Sequence, residues 1–228
     1  MNLPDDLHVL LPAYNEGPVI ADVIHTLREA GIVHIVVVND GSDDETGQVA
    51  RQAGAIVVDH LVNRGAGAAV QTGIELARQE NWSYLALMDA DGQHVAEDLA
   101  KLMANLKEQE ADLVIGSRFL ASQKGMPRDR KFYNGIANFL TNLLTKKNYS
   151  DSQSGLRLLN RKAIEHLDLQ VDGFGFCSEM VVLAERAGLK ISETPTSVIY
   201  TKYSTSKGQD FHVGVRTAFN FLWNTLFK

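Results

Sequence analysis

The first half of the chain alternates short apolar runs with helical segments, and that rhythm leaves few folds open to it. Leu7 to Leu11 is a compact apolar run ending at Pro12, and Val33 to Val38 is a β-branched run bounded by Asn39-Asp40-Gly41-Ser42. Both are too short for helices and read as buried strands. Between them, Val19, Val23, Ile24 and Leu27 recur at helical spacing in Val19 to Ala30, and Gly31 closes that helix. The pattern continues. Asp43 to Gln52, Gly67 to Gln79 and Glu97 to Lys107 read as helices, while Ala55 to Val58, Tyr84 to Met88 and Asp112 to Ile115 read as strands. Strands joined through helices of about ten residues need crossover connections, which predicts an α/β domain with a mainly parallel sheet.

After Arg118 the rhythm changes. Ala121 to Lys131 reads as a polar loop holding Gly125 and Pro127, suited to act as a lid. Phe132 to Thr145 is an amphipathic helix through Ile136, Phe139, Leu140, Leu143 and Leu144. Gly155 to Leu159 reads as strand, Ser178 to Ala187 as helix, Lys190 to Tyr200 as extended chain, and Phe211 to Phe227 as a last amphipathic helix. A single domain over residues 1–228 is the simplest organisation, its first half ending near Arg118 and its second carrying the amphipathic helices.

A formal net charge of -6 argues against a general nucleic-acid binder, which needs a basic footprint. The one cysteine, Cys177, allows no internal disulfide and fits a reducing compartment. Met1 to Asp6 lacks the regions of a signal peptide, and no stretch offers the ~20 apolar residues that span a bilayer. The expected location is cytoplasmic, with the cytoplasmic face of a membrane still open.

In an open parallel sheet, ligands bind beyond the carboxyl ends of the strands. Four loops at that edge are unusually polar: Pro12-Ala13-Tyr14-Asn15-Glu16, Asn39 to Ser42, Asn63-Arg64-Gly65-Ala66-Gly67, and Asp89-Ala90-Asp91-Gly92-Gln93-His94. Two carboxylates as close as Asp89 and Asp91 repel unless a cation or donors compensate. Hard oxygen ligands suit Mg²⁺ or Mn²⁺, and Gln93 and His94 could add a carbonyl oxygen or an imidazole nitrogen. Turn formation and helix capping are the other use of such aspartates. His94 alone reads as a surface histidine. Gly65 and Gly67 permit close backbone approach, to an anion at the helix start or simply within a turn.

Together, Pro12 to Glu16, Asn39 to Ser42, Asp89 to His94, Gly116-Ser117-Arg118-Phe119, Asp151 to Arg157 and Ser206-Lys207 resemble the family-2 inverting glycosyltransferases, nearest the dolichol-phosphate mannose synthase-like branch. The resemblance runs from about residue 7 to about residue 210. It implies a Rossmann-like fold of the GT-A type and a UDP- or GDP-sugar donor whose diphosphate meets a divalent cation. By position, Asp89, Asp91 and Gln93 match the metal site, and Arg118 matches an arginine beside acceptor and diphosphate. Pro12, Ala13, Tyr14, Glu16, Asp40, Asn63, Gly67, Asp89, Ala90 and Asp91 become the nucleotide-binding candidates, with Asp40 on the base or ribose. The family more often has aspartate at Asn39, and a small residue or threonine at Gln153.

The segment from Arg118 to Lys131 carries five basic residues against the single acid Asp129, which suggests an anionic acceptor. Arg118, Arg128, Arg130 and Lys207 are the candidates to hold an acceptor phosphate, as on a polyprenyl lipid. Asp91 and Arg118 would then act at the reacting centre. A hydroxyl acceptor would instead need a base, for which Asp151 and Glu179 are candidates; both also fit capping roles. The last helix could pack on its own sheet, pair with a second subunit or rest at a membrane surface. A sugar-phosphate nucleotidyltransferase is the competing enzyme class, and a non-catalytic nucleotide-sugar-binding module the competing binding class.

Overall fold

Alternation of side chains along each strand supplies the sheet with two apolar faces. A computed structural model describes residues 3–121, 128–199 and 203, with residues 128–130 as backbone only. Lys207 and the helix expected over Phe211 to Phe227 lie outside the described residues, as does most of the expected lid. The strands are β1 (Leu7–Ala13), β2 (His34–Asn39), β3 (Ile56–Asp59), β4 (Tyr84–Leu87), β5 (Leu113–Ser117), β6 (Arg157–Asn160) and β7 (Ile191–Pro195). The helices are α1 (Ile20–Glu29), α2 (Thr46–Gln52), α3 (Ala66–Gln79), α4 (Asp98–Glu108), α5 (Arg128–Asn142), α6 (Arg161–His166) and α7 (Phe176–Arg186).

The sheet order is β3-β2-β1-β4-β6-β5-β7. All neighbours run parallel except β6, which is antiparallel to both β4 and β5. Leu10, Val36, Val38, Leu85 and Leu87 face α3, α6 and α7. Their strand neighbours Val9, Leu11, Ile35, Val37 and Ala86 face α1 and α4 on the other side. Small residues let α3 lie close to the sheet: a Cβ on Gly73 would sit 2.1 Å from a methyl carbon of Leu10.

Two elements differ from the sequence reading. Helix α5 begins at Arg128, so Arg128, Arg130 and Lys131 belong to a helix and not to the loop. Their polarity suggests a loop, yet arginine and lysine are good helix formers. The six-residue α6 is too short to show a period; the Asn160 side chain caps it by accepting from the Ala163 N–H.

Candidate active site

Parallel strands deliver their following loops to one edge, while an antiparallel strand delivers the loop that precedes it. Because β6 runs against β4 and β5, the turn 150–156 arrives at the same edge as the tips of β1, β2, β4 and β5. That brings Gly155, Arg157 and Arg118 close to Asp89.

The Asp89 carboxylate lies directly over Gly155, where a Cβ would fall 2.3 Å from one of its oxygens. Only glycine leaves room there. Asp89 Oδ2 is 3.0 Å from His94 Nε2. His94 is therefore no surface histidine, as its sequence setting suggests: it is 8% exposed, and its bridge to Val198 folds the 89–94 loop inward. Surrounding protein atoms would raise the Asp89 pKa, but the His94 hydrogen bond and the charges of Arg118 and Arg157 outweigh them and hold it below the usual carboxylate value. Asp91 moves the other way. Desolvation and the Asp89 charge raise its pKa against the hydrogen bonds from Gln93. Asp91 accepts from both the backbone and side-chain nitrogens of Gln93.

Arg118 follows β5 and is fixed by Asp151, which is fully buried. Its backbone N–H, Nε and Nη2 donate to the two Asp151 oxygens at 2.9, 2.7 and 2.8 Å. This bidentate pair commits the Asp151 carboxylate to the arginine. Beneath it, the fully buried Arg157 donates to the carbonyls of Ser152, Ser154 and Cys177. Burial pulls its pKa down and pushes the neighbouring Cys177 thiol up to about 11. Sequence reading places Arg157 in a motif but gives it no role; its structural signal is a buried cation next to acidic residues. Glu179 accepts from the Gln170 and Val171 N–H groups at 3.0 Å each, and desolvation raises its pKa.

On the other side, Asp40 is 2% exposed and accepts from His60 Nδ1 at 2.7 Å, Arg64 N at 3.0 Å and Gly65 N at 2.7 Å. It pins the 60–65 loop to the tip of β2. The loop 12–16 is tied in through Asn15 N to Ser42 Oγ and Glu16 N to Thr46 Oγ1, and Tyr14 is exposed at the mouth. Tyr203 donates to Glu16 Oε2 at 2.8 Å. The glycines of the next loop meet protein: a Cβ on Gly65 or Gly67 would strike the 171–173 backbone, and the Ala68 N–H donates to Asp172 O. Their close approach is made to the 171–173 backbone, and Asn63 stands exposed beside them.

The sheet order and the helices packed on its two faces make this an α/β domain of the GT-A type. Residues 8–168 match the model of Glycosyl transferase family 2, and the chain belongs to that family. Among its relatives is the uncharacterized protein MJ1222 of Methanocaldococcus jannaschii, 37% identical over 98% of this chain and 93% of that protein. Another is the UDP-N-acetylglucosamine–dolichyl-phosphate N-acetylglucosaminyltransferase of Methanococcus voltae, 30% identical over 95% of this chain and 94% of that one. Among solved structures, glucosyl-3-phosphoglycerate synthase of Mycobacterium tuberculosis, in complex with Mn²⁺ and UDP-glucose, superposes with a TM-score of 0.74. That match covers 96% of this chain and 77% of that one at 18% identity, a likeness of fold.

Proposed function

We propose that this chain is an inverting glycosyltransferase that moves a sugar from a UDP- or GDP-sugar to a polyprenyl phosphate, with Mg²⁺ or Mn²⁺ at Asp89, Asp91 and Gln93. The donor set fits such a cation. Two carboxylates and an amide make a partial oxygen shell, which suits an ion that completes its coordination on substrate phosphates. The space above Gly155 that a Cβ would fill keeps one of these carboxylates at the edge. When bound, the cation would neutralise the departing diphosphate.

The observation that carries the lipid-phosphate reading is that both candidate bases are committed. Asp151 is occupied by Arg118, and Glu179 holds the 170–171 backbone. A phosphate acceptor, with its second pKa of about 6, is an anion at neutral pH and needs no base. Arg118 would orient it for attack opposite the leaving group, and with it Arg128, Arg130 and Lys207. Asp40, with three donors on its oxygens, has room for one more from base or ribose.

Helix α5 supports a lipid acceptor. Phe132, Ile136, Phe139 and Leu143 form one outward stripe and are 64%, 42%, 63% and 64% exposed. Lys131 stands at one end of it, and Lys146 and Lys147 just beyond the other. Such a surface suits anionic lipid. Among the described residues no helix is long and apolar enough to cross a membrane. The nucleotidyltransferase reading lacks support, since β1 runs into Pro12-Ala13-Tyr14 and not into a glycine-rich basic loop.

The test is transfer from a panel of UDP- and GDP-sugars to dolichyl phosphate, with a sugar-hydroxyl acceptor as the second arm. Transfer to the phosphate, with Glu179→Gln keeping most of the turnover, is the expected result. Transfer to the hydroxyl alone, abolished by Glu179→Gln, would replace the acceptor assignment. Formation of a nucleotide-sugar from sugar 1-phosphate and nucleoside triphosphate would replace the reaction class.

A further inference from the structure

The turn that carries Asp151 is gripped from two directions by side chains with no evident substrate-facing role. From β7, the Glu193 carboxylate accepts from the Ser150 N–H at 2.9 Å, the Ser150 hydroxyl at 2.8 Å and the Asp151 N–H at 3.1 Å. From α5, Asn138 Oδ1 accepts from both the N–H and the hydroxyl of Ser152 at 2.6 Å each, and its amide nitrogen donates to Ser150 O. Ser150 Oγ also lies 2.6 Å from Ser117 Oγ, at the end of the strand that leads into Arg118. Three consecutive residues are thereby fixed, and the central one holds the guanidinium.

The grip explains an oddity of α5. A surface helix normally buries an apolar stripe. Here Asn138, Thr141 and Asn142 point at the protein and bond to the 149–153 segment or to Ser178, while the apolar stripe faces out. An inward amide row adds little apolar burial. It does specify, through directional hydrogen bonds, where the backbone it holds must lie.

We propose that Glu193 and Asn138 are positioning residues that act through the Ser150-Asp151-Ser152 turn to set the Arg118 guanidinium beside Asp89. The inference rests on the reading of Arg118 given above. The side-chain hydrogen bonds of both residues end on this turn. Glu193 supplies acceptors to a backbone that would otherwise leave N–H groups unpaired, and Asn138 locks the far side of the same turn. Arg118 is held by a carboxylate that is itself held twice, so its freedom to swing is small. An orienting arginine loses about a hundredfold in rate for a displacement near 1 Å.

The experiment is a double-mutant cycle on the full chain with Mn²⁺. Glu193→Gln and Asn138→Leu are each made alone and in an Arg118→Ala background, and kcat, donor KM and thermal unfolding are measured. Each single variant is expected to lower kcat about 10- to 100-fold, with donor KM within about threefold. In the Arg118→Ala background the same changes are expected to cost less than about threefold, because the residue they position is gone. Losses that multiply onto Arg118→Ala, or that track only the folded fraction, would overturn the clamp and leave the role of Arg118 standing. An unchanged kcat in Arg118→Ala would overturn the role of Arg118 itself. Should Glu193→Gln fail to fold, Ser150→Ala removes one hydroxyl from the same carboxylate, and coupling to Arg118→Ala remains the deciding result.

Discussion

Asp89 and Asp91 are two residues apart and respond oppositely to their surroundings. Asp89 is held below the usual carboxylate value by His94, Arg118 and Arg157; desolvation and the Asp89 charge lift Asp91 above it. A lowered folded-state pKa contributes stability above the unfolded value, lost as pH falls through the folded one. A raised pKa stabilises only the protonated form, so ionised Asp91 destabilises the metal-free protein once pH rises through its folded pKa. Asp91→Asn is therefore expected to raise the melting temperature of the metal-free protein at pH 7 and to lower transfer by orders of magnitude; a calorimetric scan beside an activity assay checks both. Gly155→Ala is expected to displace the Asp89 carboxylate, weakening Mn²⁺-dependent nucleoside diphosphate binding at least tenfold, roughly a 1.4 kcal/mol change, as titration calorimetry would read. Gly155 and His94 fall inside the sequence motifs, but their contacts with Asp89 were not legible there, because a missing Cβ or a ring nitrogen matters only once the fold lays the carboxylate against it. The pair Asp89 and Asp91 was legible, since two acids at a strand tip carry their own electrostatic problem.

At the level of elements, α5 teaches the limit of periodicity. Its sequence announces an amphipathic helix, and the spacing of Ile136, Phe139 and Leu143 is that of one stripe. Spacing does not tell which side of the helix meets the protein. The structure turns Asn138, Thr141 and Asn142 inward and leaves Phe132, Phe139 and Leu143 exposed. Replacing Phe132 and Phe139 by serine is expected to reduce binding to vesicles of anionic phospholipid at least fivefold in a sedimentation assay while donor hydrolysis continues. Loss of hydrolysis alongside would show that the stripe supports the fold instead.

For the molecule as a whole, the first five strands were legible because each is a short apolar run closed by polar loop residues. Strand β6 was legible as a strand but not as the antiparallel partner of β4 and β5, since pairing depends on contacts far apart in sequence. The close packing of α3 on the sheet supplies a global test. Gly73→Ala places a Cβ into Leu10, and a loss of about 1–3 kcal/mol is expected from chemical denaturation.

The place of β6 has one more consequence. The rhythm of the sequence breaks near Arg118, yet the segment after it threads its strand β6 between β4 and β5 of the segment before it. Severed at Arg118, the leading fragment would own a gap in the middle of its sheet, with β5 stranded from the rest. Swapping acceptor preference by grafting the trailing piece from a relative would therefore demand a matching strand at that gap, and a graft without one should not fold.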